Sequence, residues 1–541
     1  MKFVAAFTCR QSARHLAKTS LHVPSRSGLA PRPRSPPLSF STTTVTNHEL
    51  LQNITDPSSQ QELVEEPKII DKLQPQDSRR RTDASTDDNN NNKRKKNRRR
   101  RDYVEYAPPP SPQEFSEQSF EDRDFFRFEI LHASQKSGSL ARVGRIHTPH
   151  GIIDTPGFVA VATNAALKGV DFIDADAAGQ QLIFSNTYHL MLHPGADIIE
   201  EAGGIHEFTK RRDRPFITDS GGFQVFSLAY GSVHEELTSK GELKKSGGKN
   251  KRNSLPHDAG DSVKVSEQGV IFRSYRDGSK FLLTPETTVQ AQKQIGADII
   301  IPLDELPGYH VDREDLVESV DRTHRWEARS LQEHLRDIKQ QAMYCVVHGG
   351  LDPELRTKSV NYLTSLPFDG YAIGGSLGDG REELKGLLSW LMPQFDNLDD
   401  KKRNKPRHLL GISDEESVWN AVAMGLDTMD SAYTTRLGRH GTLMTRKEGL
   451  IKINSGRHKR SFGVKIDDEC HCKTCQTYDR AYLWHLFKSN EPLATPLATL
   501  HNIQYMNDLM ARLRQDIMND LIWWTENDNH RSIKYWQKLF P

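Results

Sequence analysis

The chain has 541 residues, 73 of them Lys or Arg and 72 Asp or Glu, for a formal net charge of +1. Such a length exceeds one ordinary domain, so a large domain with extensions is expected. No apolar run approaches the ~18 residues a membrane span requires, which argues for a soluble protein. Of five cysteines three cluster at 470–475, which argues against a disulfide framework and for a metal site in a reducing compartment.

The near-neutral total hides an asymmetry. No Asp or Glu precedes Glu49, while Arg, Lys and Ser are frequent there. Over residues 1–47 this is the composition of a mitochondrial or plastid transit peptide, although a disordered basic tail would share it. Without such a signal the chain would be cytoplasmic. Residues 48–124 lack hydrophobic periodicity. They carry the Asn89–Asn92 run, the basic run Lys93–Arg101 and the Pro-rich stretch Ala107–Pro112. Too little apolar surface is present to offset the entropy of ordering, so a disordered linker is expected. The basic run suits RNA or a nuclear signal, and a solvated charge run is the commoner reason for such a stretch.

From about 125 to 530 a folded domain is expected. Short apolar runs recur at Gln181–Ser185, Pro215–Thr218, Asp298–Leu303, Met343–Val347, Tyr371–Ile373, His408–Ile412 and Leu426–Met429. Helical patterns fall at Glu286–Ile295, Arg313–Arg336, Pro353–Leu366 and Glu415–Met424. Alternating β and α units with buried strands indicate an α/β fold with a parallel sheet. Seven or so units favour a (β/α)8 TIM barrel over an open doubly wound sheet. The first βα loop has no Gly-x-Gly-x-x-Gly, so no dinucleotide fingerprint is present. A Lys-, Gly-, Ser- and Asn-rich stretch at 238–261 reads as a surface insertion. Barrel enzymes place their chemistry where strands end. Those ends are Asn186, Asp219, Asp304, His348, Gly374–Gly375 and Asp430.

Two acids stand out among them. Asp219 ends an apolar strand before Ser220, Gly221, Gly222 and Phe223, where the glycines would let backbone approach a ligand and Phe223 offers a face for a planar base. A turn-capping role would also explain Asp219. Asp430 is followed by Thr435, Arg436 and Arg439, and the arginines suit phosphate contacts. Two acids at one barrel mouth suit glycosidic chemistry, one as nucleophile and one in proton transfer, although such acids taken alone are often structural or metal-binding. Farther on, Cys470-x-Cys472-x-x-Cys475 and His501 supply three sulfurs and an imidazole. Four such ligands fill a tetrahedral shell and leave no open position, so a structural Zn2+ is expected in a subdomain over 465–505. His471 is a weaker alternative ligand. The helix reads as starting from Ile503, just after His501, with Met506, Leu509, Met510, Leu513, Ile517 and Leu521 near 3.6 periodicity.

These stretches together resemble the tRNA-guanine transglycosylase family, the queuine tRNA-ribosyltransferases. The resemblance rests on Ser185–Leu190, Thr218–Leu228, Asp304-Glu305, His348-Gly349-Gly350, Gly374-Gly375, Asp430–Arg439 and the cysteine cluster with His501-Asn502. It runs in order from about Phe126 to Trp524. It implies a pentosyltransferase that exchanges guanine at the anticodon wobble position of tRNAs with G-U-N anticodons, in queuosine formation. Asp430 would be the nucleophile and Asp219 the general acid/base. Asn186, Ser220, Phe223, Asp304, His348 and Gly375 would bind the base, and Thr435, Arg436 and Arg439 the RNA. The resemblance also implies a homodimer or a heterodimer with a related subunit. His348 stands where bacterial members carry a base-binding Gln, and a satisfied histidine at a strand end with no base contact is an equal reading. Gly378 falls where bacterial members carry Val and eukaryotic ones Gly, which favours queuine over its aminomethyl-deazaguanine precursor. A non-catalytic accessory subunit, or an enzyme preferring the precursor, is the alternative expectation.

Overall fold

The computed structural model describes residues 106–230, 263–274 and 276–522. The transit-peptide segment, the basic run and the 238–261 insertion lie outside the described residues.

Eight parallel strands close into a barrel. They are β1 Gly157–Val161, β2 Ile183–Ser185, β3 Phe216–Thr218, β4 Ile299–Ile300, β5 Ala342–Val347, β6 Gly370–Ile373, β7 Arg407–Leu409 and β8 Thr428–Ser431. Each pairs with its successor, and β8 closes on β1 with Asp430 opposite Val159. The helices Pro285–Ile295, Arg313–Arg336, Pro353–Leu363 and Glu415–Ala423 follow the expected pattern within a few residues. Asp352 and Asp414 cap two of them by accepting N–H groups of the first turn.

Strand β1 is not among the sequence-predicted runs. It follows a three-stranded antiparallel sheet, Arg127–Ala133, Arg142–Thr148 and Gly151–Thr155, so its apolar residues merge with those of a hairpin. Phe126, Ile146 and Ile153 of this region pack with Val159, Phe184, Ile217, Tyr344 and Val346 from the barrel interior. The sheet is therefore a plug under the barrel. The linker expectation also fails for residues 106–124. Phe115 is buried, the Pro110 carbonyl accepts from Tyr362 Oη at 2.9 Å, and Arg123 pairs with Asp369 at 3.2 Å. An aromatic and an arginine anchor this polar stretch on the barrel although it has no periodicity of its own.

The period of two along each strand decides what the mouth contains. On β8 Met429 packs outward among the helices, so Thr428 and Asp430 face inward. On β7 Leu409 faces out and His408 in. On β5 Tyr344 and Val346 face inward, and His348 continues that row.

The start of β8 is fixed by a buried ion pair. Arg142 Nε and Nη2 donate to the two oxygens of Asp427 at 2.9 and 2.6 Å, and Asp427 also accepts from the Arg407 backbone at 2.7 Å. Both side chains are almost wholly buried. Breaking a buried pair leaves an uncompensated charge. The Arg407 guanidinium lies near enough to offset part of that. Arg142→Met is expected to lower unfolding stability by about 3 kcal/mol in urea titration; a loss under about 1 kcal/mol would show that the pair does not hold β8.

Candidate active site and metal centre

Asp219 leaves β3 at the mouth and is half-buried. It accepts four hydrogen bonds. Asn186 Nδ2 (2.7 Å) and Gln224 Nε2 (2.8 Å) donate to Oδ2, and the N–H groups of Thr187 (2.9 Å) and Gly221 (3.2 Å) donate to Oδ1. Asn186, expected against the base, thus serves to orient this acid. Burial raises the Asp219 pKa and the four donors pull it back. The glycines beside it make room for protein instead of ligand. A Cβ on Gly222 would stand 2.9 Å from Leu303 Cδ1 and 3.1 Å from the Asp304 carbonyl. Ser220 is buried, and its Oγ accepts from the Gly222 N–H at 3.3 Å. Phe223 begins the next helix and is 48% exposed, an uncovered aromatic face beside the acid.

Asp304 follows β4. Burial, with the charges of Asp219 and Glu305, lifts its carboxyl to about 7. No side chain donates to it among the described residues. Its neighbour Glu305 is clamped by the helix Arg313–Arg336, where Arg322 pairs with the carboxylate at 2.5 Å and Thr323 Oγ1 accepts the Glu305 N–H at 3.0 Å. His348 is fully buried, with no hydrogen-bond partner for either ring nitrogen among the described residues. Burial, and then Arg356 and His324, hold it well below the usual range, so the ring is neutral. Gly375 lies against it, since a Cβ there would come 2.7 Å from His348 Cβ. Gly378 has a φ of +106°, and a Cβ would meet Glu383 Cβ at 2.5 Å. A side chain at 378 would thus displace the loop or Glu383.

Asp430 sits on β8, its Oδ1 3.0 Å from the Gly411 N–H and 3.2 Å from His408 Nε2. His408 went unremarked in the sequence. Nothing local marks it, because its partners Asp430 and Thr428 lie on the next strand. Beyond β8 the helix Tyr433–Arg439 presents Arg436 to solvent. Thr435 is buried and accepts from Arg439 Nη1 at 3.2 Å. It orients the arginine and has no free surface to offer RNA.

The four expected metal ligands form a buried cluster that could hold one metal ion. His501 Nδ1 lies 3.3 Å from Cys475 Sγ and 3.7 Å from Cys472 Sγ. Ligands about 2.0–2.3 Å from a tetrahedral ion would stand about 3.5 Å apart. His501 Nε2 meets the Met444 carbonyl at 2.8 Å, which directs the Nδ1 lone pair at the sulfurs. His471 is exposed and outside the cluster. The helix carrying His501 runs Ala494–Met518, so the ligand lies inside it and not before it, and Leu521 lies past its end, exposed. Ala494, Leu497 and Ala498 drive the earlier start by packing into the cysteine core.

The family model described as queuine tRNA-ribosyltransferase matches residues 136–534. A protein named queuine tRNA-ribosyltransferase from Protochlamydia amoebophila is 52% identical over 398 residues, covering 74% of this chain and 97% of its own length. Similar proteins of the same name from Chlamydia muridarum and Chlamydia caviae are 49% and 47% identical, covering 73% of this chain and 99% of their own lengths. The chain belongs to the queuine tRNA-ribosyltransferase family.

Only the ionised form of Asp304 can accept two N–H donors from a guanine-like base. Since its pKa lies at about 7, KM for the base is expected to fall as pH rises from about 6 to 8. Asp304→Asn should raise KM and flatten that profile in steady-state base exchange. A variant that keeps the wild-type pH dependence would remove Asp304 from base recognition.

Proposed function

We propose that the protein is a tRNA-guanine transglycosylase that replaces guanine with queuine at the wobble position of tRNAs with G-U-N anticodons, by double displacement through an Asp430–ribose ester. The observation that carries this reading is the pairing of one acid held by four donors, Asp219, with a second, Asp430, that keeps one oxygen unengaged. In the first step Asp430 attacks C1′, the C1′–N9 bond breaks, and guanine leaves with the electron pair and a proton held on Asp219. In the second, Asp219 takes the N9 proton of the incoming base, which attacks C1′ and expels the Asp430 carboxylate. Two displacements retain configuration.

The target base must leave its stack to enter the mouth. Phe223 would stack on it, with the Asp304 carboxylate and the Gly375 backbone at its edge, while the buried His348 against Gly375 and the buried Ser220 would shape the pocket from behind. Arg436 and Arg439 would hold the adjacent phosphates. Paired assembly, as a homodimer or with a related subunit, belongs to the same proposal.

Purified protein incubated with labelled guanine, queuine or the precursor and a G-U-N tRNA is expected to form an RNA–protein adduct. It should turn over queuine in preference, while light scattering on the same sample reports the size of the active species. Asp430→Ala should abolish the adduct and cut exchange by at least about 1000-fold. An adduct in that variant would refute the nucleophile, and faster use of the precursor would refute queuine.

The proposal assigns the Cys470, Cys472, Cys475 and His501 cluster to one structural Zn2+. Metal analysis should find about one zinc per chain. Chelation should lower the melting temperature and release the C-terminal helix to proteolysis. A chelated protein that keeps its melting temperature and loses only activity would instead make the metal catalytic.

A further inference from the structure

Two side chains stand behind Asp430, and neither is among the proposed base or RNA contacts. His408 is fully buried on β7. Its Nε2 lies 3.2 Å from Asp430 Oδ1, and its Nδ1 lies 2.9 Å from Thr428 Oγ1 on the same strand as the acid. Its ring stacks on Phe184 of β2, with centroids 6.1 Å apart and planes 19° apart. The ring is thus held on one flank by an aromatic and along its edge by β8.

The two nitrogens share one proton in the neutral ring. Thr428 Oγ1 has a proton to give and no other hydrogen bond among those described. If it donates to Nδ1, the ring proton is left on Nε2, directed at Asp430. The Gly411 N–H reaches the same oxygen at 3.0 Å. Oδ1 therefore receives two donors. Oδ2 has no hydrogen-bond partner among the described residues, although the side chain is only 10% exposed. A carboxylate so held cannot rotate without losing both bonds.

We propose that His408, with its tautomer set by Thr428, is a positioning residue that pins Oδ1 of Asp430 and leaves Oδ2 as the oxygen that attacks the ribose. The proposal rests on Asp430 being the nucleophile. It gives His408 no proton transfer, because the ring is fully buried and both its nitrogens are engaged by Asp430 and Thr428. Its effect is geometric, and a small misplacement of a nucleophile can cost about 100-fold in rate. A purely space-filling histidine would predict no difference between substitutes that differ only in where they put a donor.

That difference is the test. His408→Gln can place its amide N–H near the position of Nε2, whereas the shorter His408→Asn reaches only the position of Nδ1. His408→Phe keeps the stack on Phe184 and removes both nitrogens. Single-turnover adduct formation with a G-U-N tRNA is measured for each, beside Asp430→Asn. The expected result is a rate about 10- to 100-fold slower for Phe and Asn, with KM for tRNA within about 3-fold, and recovery to within a few-fold of wild type for Gln. If Gln is as slow as Asn, the donor at Nε2 does not matter and the proposal falls. It also falls if Asn reacts at the wild-type rate, a comparison that stands even where Phe fails to fold. An adduct in Asp430→Asn would overturn the nucleophile reading itself, whereas loss of the adduct there with no effect in the His408 series would overturn the positioning role alone.

Discussion

Closure of the sheet between β8 and β1 is the constraint on which the mouth depends, because it sets which residues of β8 face inward. Side chains alternate along a strand, so a one-residue slip would send Met429 inward and Asp430 out among the helices. The pairing of Asp430 with Val159 prevents this. So does the bidentate Arg142–Asp427 pair three residues earlier, whose arginine comes from the sheet that plugs the barrel. The plug therefore does more than exclude water from the base of the barrel. It indexes the strand that carries Asp430.

Three carboxylates at one mouth would repel one another if their surroundings were alike. They are not alike. Asp219 is surrounded by donors and Asp304 by few, so burial is offset at the first and not at the second, where the pKa reaches about 7. Asp430 has two donors on a single oxygen. Such differences let chemically identical groups take separate roles at one pH. The proposal assigns proton transfer, base recognition and nucleophilic attack to them in that order.

Much of this was legible in the sequence for physical reasons. Buried parallel strands are near-continuous apolar runs, so seven of the eight barrel strands could be found, and the polar residues ending them were candidates for the mouth. Metal-ligand spacing is local, so the cysteines were readable too. What was missed depends on contacts between distant segments. Strand β1 was hidden beside an antiparallel hairpin. The order of residues 106–124 comes from Arg123 meeting Asp369 and Tyr362 meeting Pro110. The role of Asn186 in holding Asp219, and of Thr435 in holding Arg439, follows from side-chain directions that spacing cannot give. His408 was hidden because a lone histidine in a strand carries no signal until the partner on the next strand is known.

The cysteine cluster lies away from the acids, yet it is tied to them mechanically. His501 sits in the helix Ala494–Met518. The next residue, Asn502, accepts from the Met444 N–H at 3.0 Å and donates to the carbonyls of Thr442 at 3.0 Å and Thr434 at 3.3 Å. Thr434 belongs to the helix that begins two residues after β8 and carries Arg436 and Arg439. The two helices cross closely enough that a Cβ on Gly438 would stand 2.8 Å from Thr499 Cα. A clasp at His501 therefore fixes a helix, and that helix fixes where the arginines stand relative to Asp430. On the proposed reading, loss of the clasp would first disturb the registration of RNA against Asp430, and the acids themselves, held by the barrel, would keep their places.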